Sequence, residues 1–337
     1  MGKLGKILLS TVLVLIVLLA VGISLTIGWR PFLGPKARPL TAQKFEPTPQ
    51  RLERGRYLFN SLAGCVDCHS EHDLSNPEHS VIASMAGSGE VMPFDDLPGR
   101  VVASNITPDA ETGAGTWTDD QIARAIREGI GHDGRTLFPM MPYQNFRSMS
   151  DEDLASVVVY MRSLQPVRHP LPKTDIIFPV KYLIRSVPEP VLQNVSAPDP
   201  SNRIEWGHYL VKMADCKFCH TPAERGQPLP GMDFAGGHPF SGGWGPAMTA
   251  NITPDPSGIG YYDEAMFVKV MRTGYVGARK LNALMPIEVY KGLSDDDLKA
   301  MFAYLRTIKP VKHRVDNTEA ASYCKLCRTK HGAGDQN

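Results

Sequence analysis

The 337-residue chain has almost no excess of either charge, few cysteines and a single long apolar run. Lys and Arg total 36 against 35 for Asp and Glu, a net charge of +1, so no basic surface for a polyanion is expected and nucleic acid is not an expected partner. With 42% hydrophobic residues the composition is not that of a disordered chain. Six cysteines are too few to staple a chain this long. Strand-like alternation is missing from the Gly- and Pro-rich segments between motifs. Length leaves room for about two domains, each able to bury its own core.

The apolar run, Ile7 to Trp29, contains only Ser10, Thr11, Ser24 and Thr26 as polar members and follows a short basic stretch, residues 1–6. It is long enough to span a bilayer, which takes about 20 apolar residues. A cleaved signal peptide has a shorter apolar region closed by a small-x-small site, and Ala20-Val21-Gly22 matches that poorly. An uncleaved anchor over 7–29 is therefore expected, followed by a linker over 30–49. Basic charges flank both ends and leave the orientation open.

The rest of the chain repeats itself. Gly55-Arg56-Tyr57-Leu58 leads to Cys65-Val66-Asp67-Cys68-His69, and Gly207-His208-Tyr209-Leu210 leads to Cys216-Lys217-Phe218-Cys219-His220. Asn105-Ile106-Thr107-Pro108-Asp109 returns as Asn251-Ile252-Thr253-Pro254-Asp255, and Met141-Pro142 returns as Met285-Pro286. Ser150-Asp151-Glu152-Asp153-Leu154 and Ser294-Asp295-Asp296-Asp297-Leu298 then read as capping boxes. Leu154, Val157, Val158 and Met161, like Leu298, Met301, Phe302 and Leu305, follow at helical spacing. These signals predict an all-α chain with one domain over 50–167 and a second over 203–315. A connector over 168–202 and a tail over 316–337 complete it. Eight prolines between Gln165 and Asn202 suit a semi-rigid connector.

Cys-x-x-Cys-His is the attachment signature of c-type haem: two thiols add across the porphyrin vinyls and the histidine lies under the iron. Structural zinc would need a second Cys- or His-rich half-site close by, and a thioredoxin-like pair would need a βαβ context. Two covalent haem c groups are expected, on Cys65 and Cys68 and on Cys216 and Cys219, with His69 and His220 as iron ligands. Methionine or histidine usually fills the other axial position. Met141 and Met285 are the methionines that align between repeats. Met140 is the rival in the first copy, and His132, His169 and His313 read as loop residues. Asn105 and Asn251 fit glycosylation sequons, but their repetition between cysteine and methionine motifs suggests a haem-packing loop in which Asn or Thr meets a propionate. Cys324-Lys325-Leu326-Cys327 lacks the histidine, and a disulfide, a weak metal site with His331 or a plain tail all remain open.

With Thr116-Trp117-Thr118-Asp119-Asp120 and Met141-Pro142-Tyr143 added to these motifs, residues 50 to 315 resemble tandem class I cytochrome c domains. More closely they resemble the membrane-anchored multihaem cytochrome c subunits of bacterial periplasmic dehydrogenases acting on alcohols, gluconate or aldehydes. Those subunits often carry three haems, where this chain has two motifs. The resemblance implies electron entry from a dehydrogenase or other periplasmic redox protein and exit to quinone or a terminal oxidase. It also implies a place in the bacterial inner membrane, as a single-pass protein with its haem domains in the periplasm. A fixed subunit of an oxidase or respiratory complex and, on less support, a di-haem peroxidase are the alternatives. No catalytic activity of the chain alone is expected.

Overall fold

The structure is a computed structural model that describes residues 2–315 except 77–78, 225, 243–245 and 278, together with 322–323, 325, 328 and 330–331. Cys324 and Cys327 lie outside the described residues, and with them the open question of that pair.

Helix α1, Lys3–Leu25, is the one described helix long and apolar enough to cross a membrane, with mean hydropathy 2.9 over its best window and no buried residue. At 1.5 Å per residue its 23 residues span about 34 Å, against about 30 Å of bilayer hydrocarbon. The helix lies four residues earlier than the apolar run, because the chain turns at Gly28 with φ +68°. The hydroxyls of Thr11, Ser24 and Thr26 donate to carbonyls four residues back, which satisfies these three within the helix. A short helix, α2 (Arg30–Leu33), follows.

Two halves then repeat one order of helices. In the first, α3 (Pro49–Tyr57) runs through a single π-turn (Leu58–Leu62) into α4 (Cys65–Cys68), then α5 (Asp119–Glu128), α6 (Tyr143–Phe146) and α7 (Asp151–Ser163). A short helix in the connector, α8 (Val180–Leu183), separates them. In the second, α9 (Arg203–Met213), α10 (Cys216–Cys219), α11 (Glu264–Thr273), α12 (Ile287–Tyr290) and α13 (Asp295–Leu305) take the same places. The helical framework is as expected. The intervening loops also pair in two-residue antiparallel strands, six such pairs among the described residues, which no alternation announces because each is too short to show a period.

Local chemistry sets the helix ends. Thr118 and Gln121 form a reciprocal capping box on α5, Asp263 accepts from Met266 on α11, and both helices stop at a left-handed glycine, Gly129 and Gly274. In each half the first long helix crosses the last, α3 on α7 and α9 on α13. A Cβ on Gly55 would stand 2.0 Å from the Ser156 carbonyl oxygen, and one on Gly207 would stand 1.9 Å from that of Ala300. Glycine is required at both crossings because the backbones touch there. One continuous apolar core, from Leu58, Phe59 and Val157 to Leu210, Met213 and Leu298, runs through both halves.

The segment 30–49 is strapped to the first half rather than free. Arg38 pairs with Asp120 at 2.5 Å and Glu128 at 2.7 Å, both buried, and the Thr41 and Phe45 amides donate to Asp120 and Asp119. The connector is likewise pinned: Asp175–Ile176 pairs with Gly99–Arg100, and Thr174 bonds Val102.

Gly207→Ala is expected to cost about 3 kcal/mol or more, the upper range for forcing a group into a packed site. Gly22→Ala, with open space around its Cβ, should be neutral. Denaturant midpoints of the two variants check the contrast.

Candidate functional site

Each Cys-x-x-Cys pair forms one helical turn entered through a left-handed residue, Gly64 (φ +59°) in the first half and Asp215 (φ +52°) in the second. That turn puts both sulfurs on one side and leads directly to the histidine. All four of these cysteines are half-buried. Burial pushes Cys65 and Cys216 up to about 12, so these are not the acidic, exposed thiols of a redox-exchange pair.

The histidines are half-buried and aimed in the same way. His69 Nδ1 lies 2.7 Å from the Ser104 carbonyl, and His220 Nδ1 lies 2.7 Å from that of Ala250. Burial pushes both imidazoles down, towards the neutral form a metal binds, and the bond at Nδ1 leaves Nε2 as the ligating nitrogen. The carbonyl that holds each histidine belongs to the residue just before the Asn-Ile-Thr-Pro-Asp segment. Gly89 and Gly236, whose amides donate to the His69 and His220 carbonyls, press so closely on that segment that a Cβ would fall 2.6 Å from the Asn105 nitrogen or 2.4 Å from that of Asn251.

Asn105 and Asn251 are buried and brace this loop. The Asn105 amide donates to Thr112 Oγ1 and the Val167 carbonyl and accepts from Thr107 N and Oγ1. Asn251 does the same with Ser257, Val311, His313 and Thr253. Both amide hydrogens of each asparagine are used within the protein. What these residues do is tie the histidine-holding loop to the segment leaving α7 or α13. His169 and His313 help, with Nδ1 at 3.2 Å from the Ser88 carbonyl and 2.9 Å from that of Ala235, while His132 stacks on Trp117.

Met141 and Met285 sit in matching turns. The amide two residues on donates back to each methionine carbonyl, and Pro142 and Pro286 are the N-cap residues of α6 and α12. Both methionines are half-buried against the shared core; Met140 is not part of that packing among the described residues.

The two sites are joined by an interface no motif announced. Tyr57 Oη donates to Asp297 at 2.5 Å and accepts from the Ser294 amide, while Tyr209 Oη donates to Asp153 at 2.7 Å and accepts from the Ser150 amide. In the capping boxes read from the sequence the acidic side chain should bond its own N-cap amide. Here a tyrosine hydroxyl from the other half is interposed, and the carboxylate turns instead to Arg54 or Trp206. Burial, with the facing carboxylate, raises both phenols above their ordinary value and keeps them as donors. Around this network α6 packs on α9, α12 packs on the π-turn after α3, and Asn145 bonds Asp215, whose carboxyl burial pushes up to about 7. Asp67 acts electrostatically on Cys219, and Asp215 on Cys68, so the two attachment turns are neighbours. The recurrence of Tyr and of the third acid at aligned positions was the available signal, although repetition alone does not say which half a side chain serves.

The family described as Cytochrome c matches residues 52–165, the stretch holding Cys65, Cys68, His69 and Met141. Residues 52–165 are a cytochrome c domain. Such a domain transfers electrons through covalently held haem c. The chain is 30% identical over 305 residues to the fructose dehydrogenase cytochrome subunit of Gluconobacter japonicus, covering 83% of this chain and 58% of that one. It is 30% identical over 276 residues to the alcohol dehydrogenase (quinone) cytochrome c subunit of Gluconacetobacter polyoxogenes, covering 77% and 56%. It thus spans a little over half of these two relatives. A diheme cytochrome c-type protein of Cereibacter sphaeroides is 25% identical over 268 residues, covering 77% of this chain and 86% of that protein.

Tyr57→Phe is expected to cost about 2 kcal/mol, the range for a hydrogen bond to a charged group, with haem content unchanged. Guanidinium denaturation of the holoprotein beside its haem absorbance checks both. Beside the first turn, burial pushes His72 down, but hydrogen bonds to Asp67 and to Glu90, the latter at 2.7 Å, outweigh it and hold the imidazole at about 9 against an ordinary 6.5. The stabilisation from this pair is therefore full below pH 6.5 and is lost as pH rises through 9. Denaturant midpoints of the parent and His72→Gln should differ most in mild acid and converge above that pH.

Proposed function

We propose that the chain is a two-haem electron relay held at a membrane. Residues 203–315 are read as a second cytochrome c domain. Cys65 with Cys68 and Cys216 with Cys219 would hold haem c by thioether bonds, with His69 and Met141 as iron ligands in the first half and His220 and Met285 in the second. Haem bound there takes up and returns single electrons at the iron. The donor set fits it: paired thiols on one turn, an imidazole whose Nδ1 is engaged, and a thioether on a proline-braced loop.

The observation that carries a relay, rather than two separate carriers, is the meeting of the two attachment turns across the tyrosine–aspartate interface. With a histidine and a methionine both ligating, neither iron would keep a position for a substrate, which favours electron transfer over peroxide chemistry. The names of the relatives support a dehydrogenase as electron donor and a role as its cytochrome subunit; quinone or a terminal oxidase is the acceptor in this reading. Helix α1 is then a single-pass anchor in the bacterial inner membrane, with the haem domains in the periplasm.

Pyridine haemochrome assay of the purified membrane-bound protein should give two haems per chain, and the oxidised spectrum should show the near-infrared methionine-to-iron band for both. Met141→Ala and Met285→Ala should each remove part of that band and lower one midpoint potential. One haem per chain, or ready binding of peroxide or carbon monoxide by the parent, would sink the relay.

A further inference from the structure

An exposed apolar surface outside α1 is built from two segments about 150 residues apart. Directly after α1, α2 presents Phe32 and Leu33, the latter 74% exposed. Against α2 packs the connector helix α8 with the turn Ile184–Ser186, and Arg185 donates to the Pro31 carbonyl at 3.1 Å. The connector adds Ile177, Phe178 (77% exposed), Tyr182 and Leu183 to the same surface. Phe178 and Tyr182 meet edge to face, and Lys181 and Arg185 lie over the Tyr182 ring, so the side chains are mutually ordered although they face solvent. The surface is also fixed to the first half, since Ile176, next in chain, is buried and paired in a strand with Gly99.

A groove of about 350 Å³ opens beside it, lined by Phe32, Leu33, Arg135, Thr136, Lys181 and Arg185. Three of these are cations, of which Arg135 also contacts Asp133 at 3.3 Å. The Thr136 hydroxyl is shielded from solvent and has no hydrogen-bond partner among the described residues. Apolar and aromatic side chains mixed with Lys and Arg, continuous with the end of an apolar helix, are the composition of the membrane–water interface. Among the described residues none covers them, and water is a poor partner for side chains this apolar.

We propose that α2 and the connector form a foot that lies in the headgroup layer of the bilayer entered by α1, and that the groove seats the phosphate of an anionic phospholipid between Arg135, Lys181 and Arg185. This rests on reading α1 as an anchor, and the occupant follows from that continuity together with the charge of the groove. The Pro-rich connector then has a task beyond joining two domains: it gives the haem domains a second, non-covalent hold on the membrane and sets their tilt.

The holoprotein, full length, is placed in vesicles of phosphatidylethanolamine and phosphatidylglycerol with p-benzoylphenylalanine in place of Phe178, of Leu15 within α1, or of the exposed Tyr261 in the second half. After irradiation, phospholipid adducts are counted by mass spectrometry. Adducts at Phe178 comparable with those at Leu15, with Tyr261 at background, are expected. Adducts at Leu15 with background at Phe178 would overturn the foot and leave the anchor standing. Adducts at Phe178 without Leu15 would support the foot and overturn the anchor, and background at both would overturn the two together. Lys181→Glu with Arg185→Glu should lower the Phe178 adduct about five-fold or more, from roughly five-fold per surface charge; an undiminished adduct would overturn the phosphate site.

Discussion

Two tyrosine hydroxyls, each completing a helix cap that belongs to the other half, are the contact on which the arrangement of this molecule depends. An N-cap amide and a carboxylate at the third helical position normally satisfy each other. Here each pair is held one hydroxyl apart, and the hydroxyl comes from Tyr57 or Tyr209. Neither helix start is fully satisfied within its own half, so the two halves cannot separate without exposing buried donors and acceptors. The tyrosines reach across because α3 and α9 sit low on α7 and α13, and they sit low because Gly55 and Gly207 have no side chain at the crossing. A steric fact about one methyl group therefore governs where a hydroxyl ends up, and where the cysteine turn that follows it ends up as well.

The symmetry is broken where charge is concerned. Asp153 is paired with Arg54 at 2.7 Å, whereas at the same position the second half has Trp206, which gives Asp297 a neutral donor at 2.7 Å. A carboxylate as buried as Asp297 is costly without a cation. Arg54 supplies it from the other half: Asp297 acts on its charge, and its guanidinium lies 5.8 Å over Trp206 and 5.5 Å over Tyr57. One arginine thus compensates two carboxylates, and the second half leans on the first for its charge balance.

Much of the fold was legible because it was written twice. A helix with a hydroxyl cap and apolar residues every three or four positions carries a local signal, and repetition in register removes most chance matches, which is why Ser150 and Ser294, Met141 and Met285, and the two histidines stood out. What stayed hidden is non-local. The amide of Asn105 bonds Thr107, Thr112 and Val167, a closure spanning some sixty residues that no window contains, so its part in bracing the loop could not be read from the sequence. The segment over 30–49 read as a linker because it is polar and proline-rich, but Arg38 meets its carboxylates some eighty to ninety residues away.

That last contact bears on how the relay, as proposed, would meet a membrane. A flexible tether would let the haem domains wander over a range set by chain length, with spread growing as the square root of the residues in it. Here Arg38 fastens the strap to α5 only a few residues beyond α2, α2 is fastened to α8, and the connector is fastened to the strand at Gly99. Each link is a hydrogen bond or ion pair between elements that are themselves packed. The position of the first attachment turn relative to α2 is then fixed by contacts, and the position of the second relative to the first is fixed by the tyrosine network. Electron transfer favours such an arrangement, since a fixed path needs no search and no reordering of side chains at each passage, and a rigid scaffold lets the haem environment stay the same in both oxidation states.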